Sequence, residues 1–168
     1  EEFSITASIG IARAPLDGRL PQQLIQNADL AMYESKRRAR NGWQAFSAEM
    51  AEQQLARLQL ETHLHRAVEN EEFRLVYQPQ VDLGSGRIIG AEALIRWNND
   101  ALGEMQPGNF IAHAETTGDI VAIGAWVLHE ACAQLRRWRD RRVPIDRIAV
   151  NVSYRQFGGD ALVRHVRR

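Results

Sequence analysis

Two strand-forming runs on either side of a short glycine loop constrain this chain more than any other feature. FRLVYQPQVDL (73–83) and RIIGAEALIRW (87–97) are rich in β-branched and aromatic residues, and Gly84-Ser85-Gly86 lies between them. A short loop of this composition between two such runs predicts an antiparallel hairpin. Side chains alternate along a strand, so Glu92, Leu94 and Arg96 share one face of the second run. Ala91, Ala93, Ile95 and Trp97 fill the other face. A carboxylate and a guanidinium inside an apolar run call for an explanation.

The hairpin is followed by signals for helices and one more strand. Pro107 opens a short helix over 108–116 that Gly118 closes. A longer helix follows with Ile120, Ile123, Val127, Ala131, Leu135 and Trp138 on its inner side, and Pro144 breaks it. RIAVNVS (147–153) reads as a strand again, and strand, helix, strand in that order predicts a right-handed parallel crossover. Upstream, FSITASIGIA (3–12) reads as a strand bounded by Pro15 and Asp17-Gly18. Pro21 begins a helix with Leu24, Ala28, Ala31, Met32 and Ser35 on its buried stripe, Asn41-Gly42 ends it, and a short strand covers 43–46. Ser47 is placed to cap a long helix reaching Val68, with Leu60, Leu64, Ala67 and Val68 on one side. Its single stripe predicts a connector between two domains rather than a core element. The expected division is therefore 1–46, a connector over 47–70, and 71–168.

Composition excludes several function classes. The 168 residues are 45% hydrophobic and 25% charged, ordinary for a globular protein, and Lys plus Arg equal Asp plus Glu at 21 each. That balance argues against a polyanionic partner, and the basic run at 136–142 reads as a solvated helix end rather than a nucleic-acid surface. The single cysteine, Cys132, excludes an internal disulfide and fits a reducing, cytoplasmic setting. No apolar run reaches the ~20 residues of a membrane span. His129-Glu130-Ala131-Cys132 lacks the second histidine of a zincin helix. The chain opens directly on a strand-like segment and stops inside a helix-like one, which predicts a piece of a longer protein.

Polar residues recur on the strands. In IAVNVS, Asn151 alternates with Val150 and Val152, and Gln78 interrupts LVYQP. With Glu92 and Arg96 these supply oxygen donors of the kind hard divalent cations accept, and the planar fork that suits a phosphate. Polar side chains at strand ends are where a β/α barrel keeps its active site. A structural ion pair between Glu92 and Arg96 and a satisfied strand-end amide at Asn151 are the plainer alternatives, and spacing alone leaves them open.

YQPQVDLGSGRIIGA before EALIRW, then GEMQPGNFIAHAETTGDI, then VNVS, resemble the EAL domain, the cyclic di-GMP phosphodiesterase family. ITASIGIA and NADLAMYESKRRARN resemble the closing part of a GGDEF (diguanylate cyclase-type) domain. The resemblance implies an α/β chain: the first strands of an incomplete (β/α)8 TIM-like barrel, joined by a long helix to the C-terminal part of an α/β GGDEF domain. It implies a metal site with Glu92 and Asn151 as ligands of Mg2+ or Mn2+, Arg96 on a phosphate of cyclic di-GMP, and Gln78 and Leu94 lining its cleft. The reaction implied is metal-assisted hydrolysis of one phosphodiester to linear pGpG. In the GGDEF part, Lys36 and Arg40 match residues that contact nucleotide phosphates, which leaves GTP open as a ligand there. Cations favoured near a helix C-terminus are an equal alternative.

The chain also departs from both patterns. The later carboxylates and lysine of an EAL domain are absent, including the general base, and so are the GGDEF signature loop and its aspartates. Asn99-Asp100 replaces the usual His-Pro, Thr116 and Asp119 replace a usual Glu and Leu, and Ala39 stands where a glycine is usual. A closed barrel needs about 250 residues. The expectation is a parent enzyme cleaving cyclic di-GMP and a chain inactive by itself, with a receptor that binds without hydrolysis as the alternative. A homodimer of the parent and an upstream membrane anchor stay open.

Overall fold

The computed structural model describes residues 6–38, 41–157 and 162–163, and the chain divides into two compact units, Glu1–Gln59 and Leu60–Arg168. In the first unit, strand β1 (Ser8–Ile11) pairs in parallel with β2 (Gly42–Ala45). Parallel neighbours need a crossover, and helix α1 (Pro21–Arg38) provides it. Ala31 and Ser35 are buried on α1, and buried Glu34 accepts a 2.7 Å bond from Arg37. The predicted strand over 3–12 is shorter, with residues 6–7 outside it and residues 1–5 outside the described residues.

Helix α2 (Ala48–Leu64) contains residues 59 and 60, between which the two units divide. Its middle is exposed, Leu55 at 59% and Leu58 at 51%, but Leu60 and Leu64 sit in the core of the second unit with Ala67. Met50 is buried in the first turn of the helix, and the apolar stripe of its last turns is buried as well. The helix ends four residues before Val68. There the N–H of Ala67 bonds Leu64 O at 3.1 Å and Glu71 takes a φ of 56°, which turns the chain into the sheet.

The second unit is built on a four-stranded mixed sheet. Strand β3 (Phe73–Val81) pairs antiparallel with β4 (Ile88–Asn99), as the hairpin pattern predicted. In the loop between them Asp82 Oδ1 accepts from the Ser85 N–H at 2.8 Å and from Ser85 Oγ at 2.6 Å. Those hydrogen bonds hold the Asp82 carboxyl below the ordinary carboxylate range. A third strand, β5 (Gly103–Met105), returns antiparallel to β4. The sequence pattern missed it because three residues show no periodicity. Its cause is Asn99, whose Oδ1 accepts the N–H groups of Ala101 and Leu102, both at 3.0 Å, and so reverses the chain.

Helices α3 (Pro107–Thr117) and α4 (Ile120–Asp140) cover one face of the sheet. Gly118, at φ 93°, caps α3 in a conformation that favours glycine, its N–H on Ala114 O. The predicted apolar face of β4 is buried, Trp97 completely, with the Phe110 ring edge-on at 5.5 Å. Strand β6 (Ile148–Val150) then lies parallel to β4. It is shorter than the predicted 147–153, so Asn151 stands one residue past the strand. Among the described residues the sheet does not close into a barrel.

Candidate functional site

The register of the sheet decides what gathers on its uncovered face. Gln78 on β3 lies directly across from Glu92 on β4, Val76 from Leu94, and Arg74 from Arg96. On the other side of β4, Ala149 is the parallel partner of Glu92, so Asn151, two residues on, shares that face. Asn151 Nδ2 donates to Glu92 Oε1 at 2.7 Å. The carboxylate and the amide therefore meet, although 59 positions separate them in the chain.

Arg96 behaves differently from the structural ion pair weighed from its spacing. Its Nη1 donates to Ile95 O at 2.8 Å, and it makes no ion pair among the described residues. Its cross-strand neighbour Arg74 does, with Nη2 at 2.9 Å from Glu104 Oε1 on β5. Two arginines opposite each other repel; Glu104 offsets one of them and leaves Arg96 with donors for an anion. Leu94 and Asn151 line a cavity of about 300 Å³, with Ile111 of α3 and Ile120 and Val127 of α4 among its apolar walls. Gln78, Glu92 and Arg96 do not line it and stand on the open sheet face.

Glu92 and Asn151 fit a hard divalent cation. At ligand distances of 2.0–2.1 Å, adjacent donors on an octahedral ion lie about 3 Å apart. The bonded pair here is 2.7 Å apart, and turning the Asn151 amide over exchanges its nitrogen for its oxygen. No group of three or more His, Cys, Asp or Glu side chains with metal-holding geometry occurs among the described residues. In the first unit Lys36 is exposed on α1, while Arg40 lies outside the described residues.

Sequence reading missed two polar clusters. Glu72 Oε2 accepts from Trp97 Nε1 at 2.8 Å and from Asn99 Nδ2 at 2.9 Å, and Asn70 Nδ2 reaches Glu72 Oε1 at 3.0 Å. Burial pushes the Glu72 pKa up, but the bonds from Asn99, Trp97 and Asn70, with the nearby His63, outweigh it and hold the carboxyl below its ordinary value. Asn99, one of the departures from the family pattern, is thus a buried structural hub. The second cluster joins Glu115, Ser153 and Gln156 just beyond Asn151. The serine of NVS is its one mark in the sequence. The basic run at 136–142 is partly consumed, since Arg137 pairs with Glu130 and Arg139 bonds Asp146 O.

Residues 61–168 match the EAL domain family, and residues 1–42 match the diguanylate cyclase GGDEF domain. The chain belongs to the EAL domain family. It is 46% identical to the bifunctional diguanylate cyclase/cyclic di-GMP phosphodiesterase MucR of Pseudomonas aeruginosa over 99% of this chain and 24% of that protein. It is 35% identical to the cyclic di-GMP phosphodiesterase PdeR of Escherichia coli over 96% of this chain and 24% of that one. Among solved structures, the EAL unit resembles the MucR phosphodiesterase in its cyclic di-GMP complex, with a TM-score of 0.61 and 47% identity over 65% of this chain and 44% of that chain. The EAL enzyme Bd1971 with cAMP and cyclic di-GMP bound gives a TM-score of 0.60 and 33% identity over 68% of this chain and 33% of that chain. The chain spans about a quarter of the length of these curated relatives. No helix among the described residues is long and apolar enough to cross a membrane.

Proposed function

We propose that the uncovered sheet face of the EAL unit is one wall of a cyclic di-GMP site, and that the full-length gene product hydrolyses this dinucleotide to linear pGpG with Mg2+ or Mn2+. The observation that carries the reading is the 2.7 Å approach of Asn151, one residue past β6, to Glu92 on the parallel neighbour β4. The relatives named as cyclic di-GMP phosphodiesterases and the complexes with that ligand support the choice of substrate.

Glu92 and Asn151 would hold the cation through the carboxylate and the amide oxygen. When bound, the cation neutralises charge on the attacked phosphate and acidifies the attacking water. Arg96 lies two positions from the second of β4's Glu92-Leu94-Arg96 side chains on that face, and its remaining donors grip a non-bridging phosphate oxygen and orient the diester. Leu94 and Gln78 flank the ligand on either side of Glu92. Among the described residues, Glu92 and Asn151 are the pair of oxygen donors that meet on this face, and Mg2+ demands a near-complete octahedron. Turnover by the chain alone is therefore not expected.

The test is Glu92→Gln in the full-length product, with pGpG formation followed chromatographically. The expected result is a loss of activity of about two orders of magnitude or more, with an unchanged circular dichroism spectrum. Retained hydrolysis would refute the assignment of Glu92. Cyclic di-GMP binding without turnover by the unmutated product, at saturating Mg2+ and Mn2+, would make it a receptor instead.

A further inference from the structure

Asn151 stands one residue past the end of β6, and its amide meets Glu92 at hydrogen-bond length. Bonds made beyond the strand hold the segment that follows it. Ser153 is the anchor. Its Oγ donates to Glu115 Oε1 on α3 at 2.7 Å, its N–H donates to Gln156 Oε1 at 2.9 Å, and its carbonyl accepts the N–H of Gln156 at 3.0 Å. Gln156 is itself buried, at 6% exposure, and packs over Gly124 of α4. Glu115 is half-buried in the wall of the cavity that Asn151 also lines.

From this geometry, and resting on the function proposed above, we infer that Glu115 is a positioning residue: through Ser153 it fixes the turn that aims Asn151 at the cation shared with Glu92. Glu115 touches neither the cation nor the substrate. Its role needs an acceptor oxygen toward Ser153 and does not need a negative charge. Partners of this kind, one step removed from a metal ligand, are typically worth about 10–100-fold in metal affinity.

The experiment is Mn2+ binding to the full-length product by electron paramagnetic resonance, with thermal melting of the metal-free protein in parallel. Glu115→Ala and Ser153→Ala should each weaken Mn2+ binding about 10-fold or more, and the double variant should be no weaker than the worse single, because both break the same bond. Glu115→Gln keeps the acceptor and should bind within about twofold of the unmutated protein. Three results would overturn the inference: Glu115→Gln as weak as Glu115→Ala, which would make the charge itself necessary; additive losses in the double variant; or a lowered melting temperature with unchanged Mn2+ affinity. If Glu115→Ala does not fold, Ser153→Ala and Glu115→Gln decide between the same outcomes. Glu92→Gln separates this inference from the one beneath it. If Glu92→Gln keeps full Mn2+ affinity, the metal site is wrong; if it loses affinity and Ser153→Ala does not, only the positioning role fails.

Discussion

Gly124 offers a substitution for which local and tertiary reasoning give opposite signs. It lies inside α4, where replacing glycine by alanine ordinarily gains about 1 kcal/mol of helix propensity. In this fold a Cβ at that position would come within 1.9 Å of Gln156 Nε2 and 2.4 Å of its Cδ. The Gln156 side chain is buried and would have to leave. Overpacking costs about 1–3 kcal/mol, and losing the bond from the Ser153 N–H adds about 1 kcal/mol. Set against the propensity gain, Gly124→Ala should destabilise the EAL unit by a net ~1–3 kcal/mol. In a Gln156→Ala background the obstacle is gone, and the same change should be neutral or stabilising by up to about 1 kcal/mol. Urea unfolding followed by near-ultraviolet circular dichroism measures all four corners of the cycle. A higher midpoint for Gly124→Ala in the unmutated background would refute the packing argument. A penalty that persists in the Gln156→Ala background would place its cause elsewhere.

Two further outcomes are expected. The Glu72 carboxyl is held below its ordinary value, so its contribution to stability is complete above the unfolded pKa near 4.5 and disappears as pH falls through the lower folded value. Glu72→Gln should therefore flatten the acid limb of the urea midpoint against pH; an unchanged limb would mean other carboxyls control it. Phe110 is fully buried between Phe73 and Trp97, with ring centroids at 5.8 and 5.5 Å, so Phe110→Ala should cost about 3–5 kcal/mol in the same unfolding assay. A loss under about 1 kcal/mol would show that the three rings do not form the centre of the core.

Much of the fold was legible in the sequence because its long elements carry strong periodicity. The hairpin, the apolar face of β4 and the inner stripe of α4 all follow from alternation or from three-and-four spacing over many residues. Short features lacked that signal. Strand β5 depends on the side chain of Asn99, and the turn after β6 on bonds made by Ser153. The burial of the last turns of α2 needed partners that are distant in the chain.

For the site, the sequence by itself determined the donors and the face they occupy. Alternation put Glu92, Leu94 and Arg96 together, and the same rule applied to IAVNVS marked Asn151 as a polar residue off a strand. Only the tertiary structure decided that Asn151 reaches Glu92, because the parallel register of β6 against β4 joins positions 59 apart. It also decided that Arg74, and not Arg96, takes the available carboxylate, and that Glu115 and Gln156 close around Ser153. The physical reason is that periodicity is a property of one segment, whereas hydrogen bonds between side chains depend on how separate segments are brought into register.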